Sequence, residues 1–217
     1  MIATMAIELA LAAYTFIRIK KFPVKNIAVA TLVMLAVFQL AEFLVCQSYR
    51  GIDSLLVSRI GFVAITFLPP LGLHTANAIA GRKRNWSTIT GYALAGAFAV
   101  YFALASNSIN ESICSGNYVI FHLGQFANLT YSLYYYTLLG GIIALSVYLA
   151  ITAKNKSTKA ALWWLLIGAL AFLIPTGVVY FVVDSSASGI PSIMCGFAVI
   201  YAIVLALRVV PLASRKK

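Results

Sequence analysis

The chain has 217 residues, of which 62% are hydrophobic and only 10% charged, and its formal net charge is +11. A soluble globular surface needs far more charge than this, so the composition excludes a soluble domain and indicates an integral membrane protein. The apolar runs are too long and continuous for the alternating strands of an outer-membrane barrel, so we predict an all-α membrane protein.

Seven apolar segments are predicted to form one transmembrane helix bundle, a single domain over residues 1–217. The segments cover about 2–19, 27–48, 57–80, 87–106, 129–153, 161–183 and 190–210. Each is long enough to cross, as a helix, a bilayer core of roughly 30 Å. The first segment carries Glu8 and has its positive charges after the apolar run, so we expect a retained span and not a secretory signal peptide.

Lys and Arg fall mainly on alternate connections, after the first, third and fifth segments and at the end of the chain. The opposite side has only Arg50 and Arg59. By the positive-inside rule this predicts an N-terminus outside and a C-terminus inside. The positive charge therefore follows membrane topology, and no nucleic-acid partner is predicted.

Polar side chains in the second segment share one helical face. Gln39, Glu42 and Cys46 are spaced by three and four residues. An ionisable group inside a span is a functional hypothesis by default, so Gln39 and Glu42 are candidate ligand-binding residues. The alternative is that Glu42 pairs with Arg50 or Arg59 and only holds helices together.

Under this topology all five carboxylates lie in the outer half of the protein: Glu8, Glu42, Asp53, Glu111 and Asp184. One interpretation is an outward-facing polar vestibule for a cation or an amine-bearing ligand. The other is that the acidic residues have no role, because Asp and Glu contribute little to orientation.

The third segment is interrupted by Pro69 and Pro70, which predict a kink near its middle. The carbonyls that the prolines leave free need partners inside the bundle, so both prolines are expected to face inward. His74 and Asn77 follow in the inner half. They form either a polar node that couples an outer pocket to the inner loop, or ordinary hydrogen bonds between helices. No further ligand lies at suitable spacing beside His74, so no metal site is predicted.

The longest connection lies between the fourth and fifth segments. Residues 118–122 and 126–129 are predicted to form a short β-hairpin or lid, and a helical extension of the fifth segment is the alternative for this region.

Cys46, Cys114 and Cys195 all lie toward the outside. Cys46 with Cys114 is the preferred disulfide in an oxidising compartment, and three free thiols are the alternative.

The fifth segment opens with four tyrosines within six residues, including Tyr134 and Tyr135. They cannot all face lipid, so one or two are predicted to line a ligand pocket. Pro175 predicts a second kink in the sixth segment, facing the first one, with Tyr180 and Asp184 beyond it. The predicted ligand-binding residues are Gln39, Glu42, Tyr134, Tyr135, Tyr180 and Asp184, and those predicted to couple conformations are Pro69, Pro70, His74, Asn77 and Pro175.

No catalytic motif is present, so we predict no enzyme, no catalytic residue and no cofactor. Every Lys lies in an inner loop or in the tail, which excludes a retinal Schiff base within a helix.

Three stretches resemble the N-terminal seven-helix sensor region of prokaryotic histidine kinases and diguanylate cyclases: RIGFVAITFLPPLGLHTANAIAGRK, NYVIFH with YSLYYYTLLGG, and SIMCGFAVIYAIVLALRVVP. The resemblance implies a sensor in a prokaryotic plasma membrane that passes a signal to a cytoplasmic output domain. This sequence ends without such a domain, so the expected function is a stand-alone receptor-like module. Its predicted partners are the lipid bilayer, a small-molecule ligand, a cytoplasmic signalling protein and further copies in a homo-oligomer. The alternatives are a small-molecule transporter and a ligand-free structural or assembly protein.

Overall fold

Helices form nearly all of the regular structure in a computed structural model that describes residues 1–20, 24–47, 53–82, 86–116, 118–182 and 189–215. The elements in chain order are α1 Ile2–Arg18, α2 Val24–Gln47, α3 Ser54–Thr66, α4 Leu68–Ala80, α5 Trp86–Leu104, β1 Ile109–Ser115, β2 Tyr118–Leu123, α6 Gln125–Thr152, α7 Lys156–Val182 and α8 Ile190–Val204. A π-helical turn, Leu205–Val209, then joins α8 to α9, Val210–Ser214.

Six helical stretches of the described chain are long and apolar enough to cross a membrane: Val24–Gln47, Ser54–Ala80, Trp86–Leu104, Gln125–Thr152, Lys156–Val182 and Ile190–Ser214. The protein is therefore a helical multi-pass membrane protein, as its composition predicts. Helix α1 has 17 residues and falls just below the length of the other six.

Helix α1 packs along α2 with the opposite chain direction. Its start contacts the end of α2, where Thr4 Oγ1 lies 3.0 Å from Gln39 Oε1. Near its other end, the ammonium of Lys25 lies 4.2 Å from the centre of the Phe16 ring. The buried residues of α1 are Glu8, Ala12 and Thr15, while apolar side chains such as Ile17 are exposed. This arrangement, with polar groups inside and apolar groups outside, suits a helix surrounded by lipid.

The third predicted segment forms two helices, α3 and α4, which meet at Phe67. The Phe67 amide bonds to the carbonyls of Ala64 and Ile65, and α4 begins at the next residue. Pro69 and Pro70 lie in the first turn of α4, where their missing N–H groups remove no hydrogen bond within α4 itself. Pro70 does, however, offer no amide to the Thr66 carbonyl at the end of α3. Both prolines are buried, so the predicted interruption and its inward orientation are present.

The connection between α5 and α6 contains a hairpin, but with a different second strand from the one predicted. Strand β2 pairs antiparallel with β1, which precedes it in the chain, and Ser115 lies opposite Tyr118. The strand prediction for residues 126–129 is wrong, because these residues open α6. Ala127, Tyr131 and Tyr134 are buried at helical spacings of four and three residues, so one face of this helix packs inward.

A disulfide joins Cys46 at the end of α2 to Cys114 in β1, with a Cα–Cα distance of 5.1 Å. This is the pairing that the sequence favours, and Cys195 is a free, buried thiol. We call the end of the bundle that holds β1, β2 and this disulfide the hairpin end. The opposite end, which holds the start of α7 and the end of α9, is called the basic end.

An aromatic cluster fills the core beneath the hairpin. The ring of Phe62 in α3 lies 4.9 Å from that of Phe102 and 5.1 Å from that of Phe121 in β2. The rings of Phe102 and Tyr131 are 5.0 Å apart. The hairpin is thus part of the packed core and is held by more than the disulfide.

Candidate functional site

A cleft of about 720 Å³ opens at the hairpin end between β2, α6, α7 and the start of α8. This volume lies within the range of small-molecule pockets. Its floor and walls are aromatic and polar side chains set among apolar ones. The polar and aromatic lining residues are Phe121, His122, Asn128, Tyr131, Ser132, Tyr135, Tyr136, Thr176 and Tyr180.

The described lining of the cleft contains no Asp, Glu, Lys or Arg. Hydroxyl, amide and imidazole groups are the polar groups that it offers. A full charge placed there would lose its hydration without gaining an opposite charge from these residues. The lining therefore suits an uncharged molecule that combines ring or apolar surface with a few hydrogen-bonding groups.

Two tyrosines of α6 connect the cleft to the break between α3 and α4. Tyr131 lines the cleft, and its hydroxyl lies 3.2 Å from the Thr66 hydroxyl. One turn further along α6, the Tyr134 hydroxyl donates to the Thr66 carbonyl at 2.7 Å. Thr66 is the last residue of α3, so both bonds end at the break itself.

A small apolar cavity of about 40 Å³ lies next to the cleft. Tyr135, Leu173 and Met194 line both spaces. The cavity is also lined by Gly72 of α4 and Thr31 of α2. Three side chains therefore face both the cleft and a cavity that borders α4.

The predicted ligand-binding residues fall into separate places. Tyr135 and Tyr180 line the cleft, while Tyr134 points to Thr66. Gln39 and Glu42 do not line the cleft and lie in a buried polar cluster near α1 and α8. Asp184 lies outside the described residues.

The buried polar cluster contains a second carboxyl group, that of Glu8. The sequence places Glu8 in the outer half with the other carboxylates, but Glu8 is not among the predicted ligand-binding residues. Glu8 and Glu42 are 0% and 1% exposed. Glu42 shares a hydrogen bond with Ser192 of α8. Of its two predicted partners, Arg59 instead bonds to the Ser106 carbonyl, and Arg50 lies outside the described residues. The signal for Glu8 is its helical spacing: together with Thr4, Ala12 and Thr15 it forms the one small and polar stripe of α1.

The residues predicted to couple conformations lie along α4 and α7. His74 Nδ1 is 3.2 Å from the Tyr92 hydroxyl, and the Asn77 amide donates to the Leu73 carbonyl and to Thr88. His74 and Asn77 therefore join α4 to α5. This corresponds to the interpretation in which they form ordinary hydrogen bonds between helices. Pro175 lies inside α7, directly before the cleft residue Thr176.

In the part of the chain that the structure describes, no three His, Cys, Asp or Glu side chains form a group able to hold a metal ion.

Comparison with known proteins gives no family for this chain. No family model matches it, and neither a search of curated proteins nor one of solved structures finds a match. The resemblance to kinase sensor regions remains a prediction, and the functional argument depends on the geometry of the cleft.

Proposed function

We propose that the protein is a receptor-like membrane sensor that binds an uncharged small molecule in the hairpin-end cleft and signals to a separate cytoplasmic protein. The observation that carries this proposal is that Tyr131 belongs both to the cleft and to the α3–α4 break. A ligand that moves this ring changes a contact at the one interrupted helix of the third segment.

The proposed topology has seven spans, with the hairpin end outside. Helix α1, at about 1.5 Å per residue, is roughly 25 Å long, which is close to the thickness of a bilayer core. Its exposed apolar side chains support its role as the first span.

The distribution of positive charge supports the same orientation. The Ser157 hydroxyl donates to the Leu212 carbonyl, so the start of α7 and the end of α9 lie together at the basic end. Arg59 is the described exception, because it lies near the start of α3 at the hairpin end. The remaining described Lys and Arg residues belong to helix ends at the basic end, as expected for the cytoplasmic side: Arg18, Lys20, Lys25, Arg82, Lys154, Lys156, Lys159, Arg208 and Arg215.

The cleft favours a neutral ligand with a planar ring over the cation or amine that the five carboxylates suggest. Its tyrosine rings offer faces and edges for ring packing, and their hydroxyls, with Asn128 and Ser132, offer hydrogen bonds. Tyr180 is 48% exposed, so the cleft has an open side along α7.

Signal transfer in this proposal is a shift between two arrangements of the α3–α4 break. A ligand alters the populations only if it binds one arrangement more tightly than the other. The hydrogen bonds of Tyr131 and Tyr134 to Thr66 differ between arrangements if α6 moves relative to α3. Helix α4 carries that change from the break to Gly81 and Arg82 at the basic end, where the output protein binds.

Native mass spectrometry of the protein in patches of its own membrane tests the proposal. We expect a small molecule on the wild-type chain that is lost from a variant combining Thr176→Val and Tyr180→Leu. Tyr14→Leu, an exposed tyrosine on α1, is the matched control and should retain it. Equal retention by the cleft variant would overturn the proposal, as would a chain without any bound small molecule.

A transporter would use the same cleft, and broken helices beside binding sites occur in transporters. The α3–α4 break and Pro175 are the specific features that favour this second candidate. Uptake of the identified molecule into sealed vesicles discriminates between the two functions. Accumulation of the molecule inside the vesicles that depends on Thr176 and Tyr180 would show that the protein is a transporter and not a sensor.

A further inference from the structure

Glu8 and Glu42 belong to two facing polar stripes, one on α1 and one on α2. Thr4 and Glu8 are one turn apart on α1, and Gln39 and Glu42 are one turn apart on α2. Thr4 contacts Gln39, and because α1 and α2 run in opposite directions, Glu8 and Glu42 lie one turn from this contact on opposite sides of it. Helical side chains lean toward the N-terminus of their own helix, so both carboxyl groups lean back toward the contact. Both are buried. Burying two carboxylates beside each other requires compensation of their charge.

The described surroundings offer little such compensation. Both oxygens of Glu8 and the Oε1 atom of Glu42 have no hydrogen-bond partner, and neither has the buried Nε2 atom of Gln39. The charged groups that act on Glu8 are Glu42 and the amino group of Met1, and the same amino group acts on Glu42. The neighbouring titratable group of α8 is the Cys195 thiol, on which both carboxyl groups act. Among these groups only the amino group carries positive charge, and it lies at the start of α1.

The hydrogen bonds distinguish the two carboxyl groups. The Val119 amide of β2 donates to Ser192 Oγ at 3.0 Å, which leaves the hydroxyl proton of Ser192 free to donate to Glu42. Both oxygens of Glu8 lack a partner, whereas only Oε1 of Glu42 does. A donor favours the ionised form of the group that accepts from it, whereas Glu8 receives no such bond.

We infer that Glu8 and Glu42 form a proton-binding site in which Glu8 holds an exchangeable proton and Glu42 carries the negative charge. This site is separate from the ligand cleft and does not depend on the function proposed for the cleft. Intramembrane carboxyl groups that exchange protons with water are characteristic of sites that respond to pH or move protons.

The geometry also links the site to the cleft. Ser192, which bonds to Glu42, lies on α8 between Pro191 and Met194, and both of these line the cleft. Val119, which bonds to Ser192, lies two residues before the cleft residue Phe121 in β2. Loss of the Glu8 proton places two negative charges in one buried site. The added charge changes the strength of the hydrogen bond between Ser192 and Glu42.

Infrared spectroscopy of the full chain in lipid tests the inference without a ligand. We expect an absorption band of a protonated carboxyl group near neutral pH that shifts in deuterated buffer. Glu8→Gln should abolish the band, whereas Glu42→Gln should retain it, because Glu8 then remains buried and protonated. Glu111→Gln, an exposed carboxyl of β1, is the control and should leave the band unchanged.

Ser192→Ala keeps the inference testable if a glutamate variant fails to fold. Without the Ser192 donor, Glu42 competes better for the proton, so the band should shift in position while keeping its intensity. A wild-type spectrum without a band of protonated carboxyl would overturn the inference. A spectrum that gains this band only when Na⁺ is removed would also overturn it, because a metal cation would then occupy the site.

Discussion

The Tyr134 hydroxyl bonds to the one carbonyl that Pro70 leaves without a helical partner, that of Thr66, at 2.7 Å. In a continuous helix the amide of residue 70 would donate to the carbonyl of residue 66, but proline has no N–H. A free carbonyl inside a membrane costs several kcal/mol unless another group bonds to it. A side chain of α6 therefore supplies the hydrogen bond that the Thr66 carbonyl cannot receive from Pro70.

Tyr134→Phe is expected to lower the free energy of unfolding by about 1–3 kcal/mol, because it leaves the Thr66 carbonyl buried and unpaired. The loss should shrink in a Pro70→Ala background, where the new amide can donate to that carbonyl. Unfolding of the four chains of this double-mutant cycle in detergent measures the coupling. Equal losses in both backgrounds would show that the hydroxyl does not replace the missing amide.

The break at Pro69 and Pro70 was predictable from sequence because proline acts on its own backbone, whatever the tertiary structure. The placement of Glu42 was not. Spacing puts Gln39 and Glu42 on one face of α2, but it does not say whether that face meets the cleft or α1. The strand partner of β2 was also missed, because residues 109–115 are polar and show no strong alternation, while residues 126–129 are apolar enough to suggest a strand. Contacts between elements that are distant in the chain decide which surface a helix face meets and which strands pair. The spacing of residues within one segment does not contain this information.

The disulfide gives a simple chemical prediction. Thiol titration of the denatured chain without reductant should detect one thiol, that of Cys195, and titration after reduction should detect all three. Cys195→Ala should then leave no titratable thiol before reduction. Three thiols in the unreduced chain, purified from an oxidising compartment, would mean that the hairpin is held by packing alone.

Removing that disulfide by Cys46→Ser with Cys114→Ser should destabilise the chain by about 2–5 kcal/mol. Phe121 remains packed on Phe62, so we expect faster amide exchange in β1 and not loss of the bundle. Hydrogen exchange read by mass spectrometry locates the effect. Protection lost equally in α4, far from the hairpin, would contradict this local role.

Gly124 joins the hairpin to α6 where no side chain fits. A Cβ added there would overlap the backbone carbonyl oxygen of Asn107, which cannot rotate away. Gly124→Ala should therefore cost about 1–3 kcal/mol, as overpacking does. Gly140→Ala, inside α6, meets no atom within 4 Å and is the matched control. Thermal unfolding of both variants checks the difference, and equal melting temperatures would show that the junction can move.

The proton-binding pair predicts how stability changes with pH. If the folded chain keeps a proton on Glu8 at neutral pH, where a glutamate of the unfolded chain has already lost its own, the folded state binds more protons there. Stability must then fall as pH rises, because deprotonation of Glu8 puts a second negative charge beside Glu42. The slope over neutral and alkaline pH should be smaller in Glu8→Gln, which is neutral at every pH, and unchanged in Glu111→Gln. Thermal unfolding in lipid across that range measures both slopes. Equal slopes in the wild type and in Glu8→Gln would place the proton elsewhere and leave Glu8 as an ordinary packing residue.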